Sequence, residues 1–142
     1  MKILNEEGLK KLAQELASQA KPEDVFCLEG ELGAGKTTFA KHFIQHLCGK
    51  DLEVTSPTFG IVHCYNSKAA IWHFDLYRLK DKNELYEIGI EDAFLNAISL
   101  IEWPDVAKDL IDYSKTITVK ISFAESAEQR IVEVLKSMPF KV

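Results

Sequence analysis

Near the N-terminus the apolar residues Leu4, Leu9, Leu12, Leu16 and Ala20 recur every three to five positions. That spacing lays one hydrophobic stripe along a helix. It predicts an amphipathic helix over residues 6–20, with Asn5 as its N-cap and Lys21-Pro22 as its stop. The run Val25-Phe26-Cys27-Leu28 is apolar without a period, too short for a helix and β-prone, so it predicts a strand buried on both faces. A glycine-rich turn leads into a second helical pattern over residues 36–47, closed by Gly49.

After Gly60 the pattern turns to strands. Residues 61–65 and 69–75 read as two strands joined by the polar turn Asn66-Ser67-Lys68, a hairpin. A short helix is expected over residues 83–87, ending near Gly89, and a buried strand over 97–102. Pro104 blocks that strand and suits the first turn of a helix over residues 104–110. In residues 116–123, Ile117, Val119, Ile121 and Phe123 alternate with polar neighbours, a half-exposed strand; residues 130–135 predict another. No repeat, low-complexity stretch or Pro/Gly/Ser linker divides the chain, so residues 1–142 are expected to form a single domain. Helices interleaved with buried strands, followed by a hairpin and alternating strands, predict an α/β sandwich. Its sheet is mixed, parallel plus antiparallel, and flanked by helices.

Composition narrows the function classes. Hydrophobic residues make up 46% and charged residues 27%, as in an ordinary soluble domain. With 17 Lys+Arg against 22 Asp+Glu the net charge is −5. Autonomous nucleic-acid binding needs basic residues that displace condensed counterions, and this balance argues against it. Contact with nucleic acid inside a complex stays open. No apolar stretch approaches the ~20 residues of a membrane span, and the start Met1-Lys2-Ile3-Leu4-Asn5-Glu6-Glu7 is unlike a secretory signal. Cys27, Cys48 and Cys64 are odd in number and lack any CxxC spacing, which points to reduced thiols in a cytosolic protein.

The segment that carries chemistry is Gly30-Glu31-Leu32-Gly33-Ala34-Gly35-Lys36-Thr37, which matches G-x-x-x-x-G-K-[ST] between a predicted strand and a predicted helix. Glycines permit the backbone to curl its N–H groups around a phosphate. The helix that follows adds unpaired N–H groups and the positive end of its dipole. Lys36 offers a mobile charge to the β- and γ-phosphates, and the Thr37 hydroxyl can ligate Mg²⁺. The fold expectation therefore sharpens to a P-loop NTPase-like sandwich binding a nucleoside triphosphate. Such a site also needs acids at the ends of neighbouring strands. Asp75 ends one apolar run and Glu102 another. One would hold the metal while the other orients or deprotonates the attacking water, and either assignment is open. By alternation His73 faces the same side as Asp75. Trp103 could stack on a base, and Arg78 could reach a phosphate or pair with an acid.

Gly30–Thr38 reads GELGAGKTT, followed by Ser56-Pro57-Thr58-Phe59, His73-Phe74-Asp75-Leu76-Tyr77-Arg78-Leu79 and Ile101-Glu102-Trp103-Pro104. This order and spacing resembles the bacterial TsaE (YjeE) family of small ATPases, which act in biosynthesis of threonylcarbamoyladenosine (t6A) on tRNA. The resemblance implies a Mg²⁺-dependent ATP hydrolase that is weak alone and stimulated by partners. It implies that Gly30, Leu32, Gly33, Ala34, Gly35, Lys36, Thr37 and Thr38 bind the phosphates of ATP. Thr37 and Glu102 would hold Mg²⁺, with Asp75 a further metal ligand required for hydrolysis. Thr58 would lie in a switch-like loop near the γ-phosphate, Trp103 close to the nucleotide, and Arg130 in the C-terminal segment that helps frame the adenine. The implied partners are TsaD and TsaB, with tRNA touched indirectly at most and no membrane. Gly60 stands where relatives usually have threonine, and Ser126-Ala127-Glu128-Gln129-Arg130 lacks the frequent Gly-Arg pair.

The alternatives are of other classes. A small-molecule or nucleotide kinase also carries a P-loop, but it brings arginines over the transferred group; this chain has two, Arg78 and Arg130. A GTPase would need an Asn/Thr-Lys-x-Asp element to read guanine, which the sequence lacks. A binding module that only senses nucleotide would bind ATP and release no phosphate.

Overall fold

The computed structural model describes residues 1–57, 61–136 and Phe140. Seven strands form one mixed sheet: β1 (Lys2–Leu4), β2 (Val25–Glu29), β3 (Val62–Asn66), β4 (Ala70–Asp75), β5 (Ile98–Glu102), β6 (Thr116–Phe123) and β7 (Arg130–Leu135). Their spatial order is β1-β7-β6-β2-β5-β4-β3. The centre is parallel, β2 lying between β6 and β5 with β4 beyond β5. The flanks are antiparallel, β3 on β4 at one side and β7 then β1 at the other. The helices are α1 (Glu6–Gln19), α2 (Lys36–Cys48), α3 (Asn83–Glu87) and α4 (Ile90–Asn96).

Strands β2, β4 and β5 feed both faces. From β2, Phe26 and Leu28 join α1 and α2 in one core, together with Leu9, Leu16, Phe39, Phe43, Leu100 and Ile121. Val25 and Cys27 point the other way, into a core with Phe74, Leu85, Ile90 and Ile101. This explains the unbroken apolar run: a strand covered on both sides has no polar face. Phe26 packs edge-on against Phe43 and Phe140, at centroid distances of 4.9 and 5.6 Å. Asn5 caps α1 as expected, its side chain accepting from the Gly8 N–H at 2.9 Å.

The expected hairpin is β3–β4, with Asn66 opposite Ala70. Two expectations need correction. The predicted helix over residues 104–110 is a single 3₁₀ turn, Pro104–Ala107; the hydrogen bonds that follow, Lys108 N–H to the Asp105 carbonyl and Leu110 N–H to the Ala107 carbonyl, keep the three-residue spacing of tight turns rather than that of an α-helix. The short helix at 83–87 is followed at once by α4, which starts from Gly89 in the left-handed conformation; that glycine reads in the sequence as an end and serves also as a beginning. The three-residue strand β1 is additional to the expected elements; Lys2 and Ile3 are exposed, and the strand exists through its pairing with β7. Among the described residues no helix is long and apolar enough to cross a membrane.

Candidate nucleotide site

The glycine-rich loop joins the C-terminal end of β2 to the N-terminus of α2, at the centre of the sheet. Two glycines explain its shape. Gly33 has φ +80°, a left-handed value, and a Cβ there would meet nothing within 4 Å. At Gly30 (φ +156°) a Cβ would collide with the main-chain oxygen of Ile121 on β6, so the loop can leave β2 this closely only without a side chain.

The register of the sheet brings the acids to the loop. In the parallel pairing of β4 and β5, Asp75 lies beside Glu102, and in that of β2 and β5, Leu28 lies beside Glu102. Both carboxylates are buried, at 6% and 3% exposure. The Thr37 hydroxyl, one residue into α2, donates to Glu102, with both carboxylate oxygens at 3.1 Å. His73 is fully buried, and its Nε2 lies 2.6 Å from Glu102 Oε2. Asp75 accepts from the Tyr77 N–H through Oδ1 at 3.1 Å and from the Ser56 hydroxyl through Oδ2 at 3.4 Å.

Lys36 is buried as well, with its ammonium donating to the carbonyls of Gly30 and Glu31 and lying 3.8 Å from the centre of the Trp103 ring. Burial pulls its pKa below the ordinary lysine value, against the opposing pull of Glu102 and then Asp75. Trp103 holds its place through a left-handed backbone (φ +57°), rare for a bulky residue, and by packing on Tyr77 at a centroid distance of 4.8 Å. A cavity of about 190 Å³ opens among Gly33, Gly35, Lys36, Thr37, Asp75 and Glu102, with Leu32, Thr38, Ser56 and Trp103 completing its wall.

A second cavity, about 430 Å³, lies on the other side of Gly35 and Thr38, where Ala34 meets Asn5 and the first turn of α1 (Glu6 and Glu7), with Ala127 and Arg130 from the C-terminal part. Here Arg130 donates from Nε to the Ala34 carbonyl at 2.9 Å and from Nη1 to the carbonyls of Ala127 and Gln129. The structure thus gathers Leu32, Gly33, Gly35, Lys36, Thr37, Thr38, Asp75, Glu102 and Trp103 around one cavity and sets Arg130 beside the next. Gly30 starts the loop without lining this cavity, and its carbonyl accepts from Lys36. Thr58 lies outside the described residues, as do Phe59 and Gly60. Arg78 is exposed just beyond β4.

The donor set fits a magnesium-bound triphosphate. A hydroxyl and a carboxylate, both hard oxygen donors, meet at the end of the loop, and a buried ammonium stands on the other side. Among the described residues no three His, Cys, Asp or Glu side chains form a metal cage. Sequence reasoning gave His73 a face and no role. Strand alternation had placed it on the side of Asp75, and its partner there proves to be Glu102.

A family model described as "Threonylcarbamoyl adenosine biosynthesis protein TsaE" matches residues 3–132. The chain belongs to the TsaE family. The tRNA threonylcarbamoyladenosine biosynthesis protein TsaE of Rickettsia felis is 39% identical over 148 residues, covering 95% of this chain and 85% of that protein. The Bacillus subtilis protein of the same description is 36% identical over 132 residues, covering 92% and 81%. A crystal structure of YdiB from Bacillus subtilis superposes with a TM-score of 0.76 at 31% identity, covering 98% of this chain and 89% of that one. The fold is accordingly the P-loop NTPase α/β sandwich of this family, which binds nucleotide and serves t6A formation on tRNA. Family membership leaves the kinase alternative without support.

Proposed function

We propose that residues 1–142 form one P-loop ATPase domain that hydrolyses Mg²⁺-bound ATP in the cytoplasm, and that this hydrolysis supports turnover of a TsaD–TsaB heterodimer forming t6A at position 37 of tRNAs that read codons starting with A. The observation that carries the reading is the meeting of the Thr37 hydroxyl with the buried Glu102 carboxylate at 3.1 Å, beside Asp75 on the adjacent strand. Thr37 and Glu102 would hold Mg²⁺, which when bound neutralises phosphate charge and fixes the phosphate oxygens. Lys36 exchanges its carbonyl partners on Gly30 and Glu31 for the triphosphate, a stronger acceptor for a charged donor. The loop from Gly30 to Thr38 supplies backbone N–H groups. Asp75, oriented by Tyr77 N–H and Ser56, positions the attacking water and accepts its proton, while Glu102, engaged by Thr37 and His73, keeps to the cation.

Trp103 and Arg130 border the nucleotide on opposite sides of the loop, Arg130 by fixing the Ala34 carbonyl at the edge of the larger cavity. Thr58 is proposed to act from the segment between β3 and the Ser56 contact. The acidic balance of 17 against 22 charges makes tRNA an indirect partner at most. The deciding experiment is phosphate release from ATP and from GTP, with and without TsaD and TsaB. The expected result is ATP-specific release that rises when both partners are added. Tight ATP binding with no release under any of these conditions would make the chain a nucleotide sensor instead.

A further inference from the structure

Nothing in the site's nucleotide chemistry requires a histidine, yet His73 is wholly buried and directed at Glu102. Packing alone does not explain it. The ring's Nδ1 is buried and has no hydrogen-bond partner among the described residues; leaving a buried polar atom unpaired is a cost that Phe or Leu at this position would avoid. Nε2 therefore carries the hydrogen, because a hydrogen on Nδ1 would be a buried donor with no acceptor while Glu102 Oε2, an acceptor, lies 2.6 Å from Nε2. The register supports the same direction. His73 pairs with Leu100 two residues before Asp75 pairs with Glu102, so the ring stands on the face of the sheet that carries both acids.

We propose that His73 is the positioning residue of the magnesium site: through its buried Nε2–H···Oε2 bond it fixes the Glu102 carboxylate in the orientation that receives the cation. A carboxylate has about four lone-pair directions. Thr37 engages both oxygens and His73 takes one direction on Oε2, which leaves lone pairs for a cation on a carboxylate that lines the cavity. Without the imidazole the side chain is free to turn about its last torsion, which is soft and roughly two-fold. Outer partners of this kind typically govern metal affinity about 10–100-fold. This inference rests on the reading that Glu102 holds Mg²⁺.

The test compares His73→Leu, which removes the donor, with His73→Gln, whose amide nitrogen can take the place of Nε2. ATP affinity is measured across a Mg²⁺ titration and in EDTA. The expected result is that His73→Leu needs about 10–100-fold more Mg²⁺ for half of the metal-dependent tightening, binds ATP in EDTA within about twofold of the parent, and is largely rescued by Gln. In the metal-free parent, ring ¹⁵N spectra are expected to show the hydrogen on Nε2, with that resonance displaced by Glu102→Gln. An unchanged Mg²⁺ requirement in His73→Leu, an equal loss in EDTA, a Gln variant as weak as Leu, or a hydrogen on Nδ1 each overturns the proposal. Should His73→Leu fail to fold, the Gln titration and the spectra decide. A parent whose ATP affinity ignores Mg²⁺ overturns the Glu102 assignment and this proposal with it, whereas a normal parent beside an unaffected His73→Leu overturns this proposal alone.

Discussion

Placing a methyl group at Gly30 and at Gly33 separates two physical effects that the loop combines. At Gly33 the added Cβ has open space around it, so the cost is that of holding an L-residue at φ +80°, about 1–2 kcal/mol. At Gly30 the Cβ falls far inside contact with the Ile121 carbonyl oxygen and 3.3 Å from the Ala34 Cβ. Ile121 lies on β6, which is hydrogen-bonded between β2 and β7, so its carbonyl cannot step aside as a flexible side chain would. Forcing extra volume against such a wall costs about 1–3 kcal/mol beyond the conformational term, giving about 2–5 kcal/mol for Gly30→Ala. A domain holds only about 5–15 kcal/mol in total, so this single methyl removes a large fraction of it. Urea unfolding of the metal- and nucleotide-free variants, followed by circular dichroism, reads both. Gly30→Ala should be the less stable of the two by at least about 1 kcal/mol, with an unchanged slope. Gly33→Ala should instead lose nucleotide affinity while staying folded, because Gly33 lines the cavity. Equal stabilities, or two variants both within about 0.5 kcal/mol of the parent, would refute the steric reasoning.

Lys36→Ala should weaken Mg·ATP binding at least about tenfold, since a charged hydrogen bond contributes about 1.5–3 kcal/mol; calorimetry giving an affinity within about twofold of the parent would count against it. Asp75→Asn should leave ATP affinity within about threefold and cut phosphate release about 10²-fold or more, and an undiminished rate with TsaD and TsaB present would remove Asp75 from the chemistry. Cys27 gives a pH dependence whose sign is fixed. Burial, and then the charge of Glu29, push its thiol from 9.0 up to about 12, so the unfolded chain ionises first. Its contribution is complete below pH about 9 and is lost as pH rises toward about 12. At about 1.36 kcal/mol per unit, urea midpoints compared between neutral pH and about pH 10.5 should show the parent losing about 2 kcal/mol more than Cys27→Ala. Equal losses would contradict the burial argument.

The sequence pattern was most informative where one physical signal dominated. The stripe of α1, the double-faced β2 and the alternation of β6 each follow from a single periodicity, and observed bounds agree with expected ones to within a residue or two. The position of Asp75 and Glu102 at strand ends was legible too, because the runs before them are apolar and stop there. Their adjacency was not, since it depends on β4 and β5 being neighbours in register, a pairing between residues 27 apart that no local pattern encodes. The same holds for β1, whose three residues become a strand only by pairing with β7. The link from His73 to Glu102 is of this kind as well: alternation assigns a face, and only the assembled sheet supplies the partner. Trp103 shows a different limit. Its left-handed backbone and its place over Lys36 come from the need to turn between Glu102 and Pro104, a conformation that its residue type disfavours.

The pairing of β1 with β7 ties Lys2–Leu4 to a strand that follows all the other strands of the sheet in sequence. The larger cavity, bounded by Asn5 on one side and Arg130 on the other, straddles that join. A ribosome therefore releases the glycine-rich loop, Lys36 and Thr37 long before the wall beside them can exist. A nascent chain halted after β6 would hold the proposed phosphate ligands and lack Ala127 and Arg130 from the wall of the larger cavity. Completion of this enclosure is vectorial, the last hairpin recruiting the first strand, and saturable nucleotide capture is expected to appear only once synthesis has passed β7.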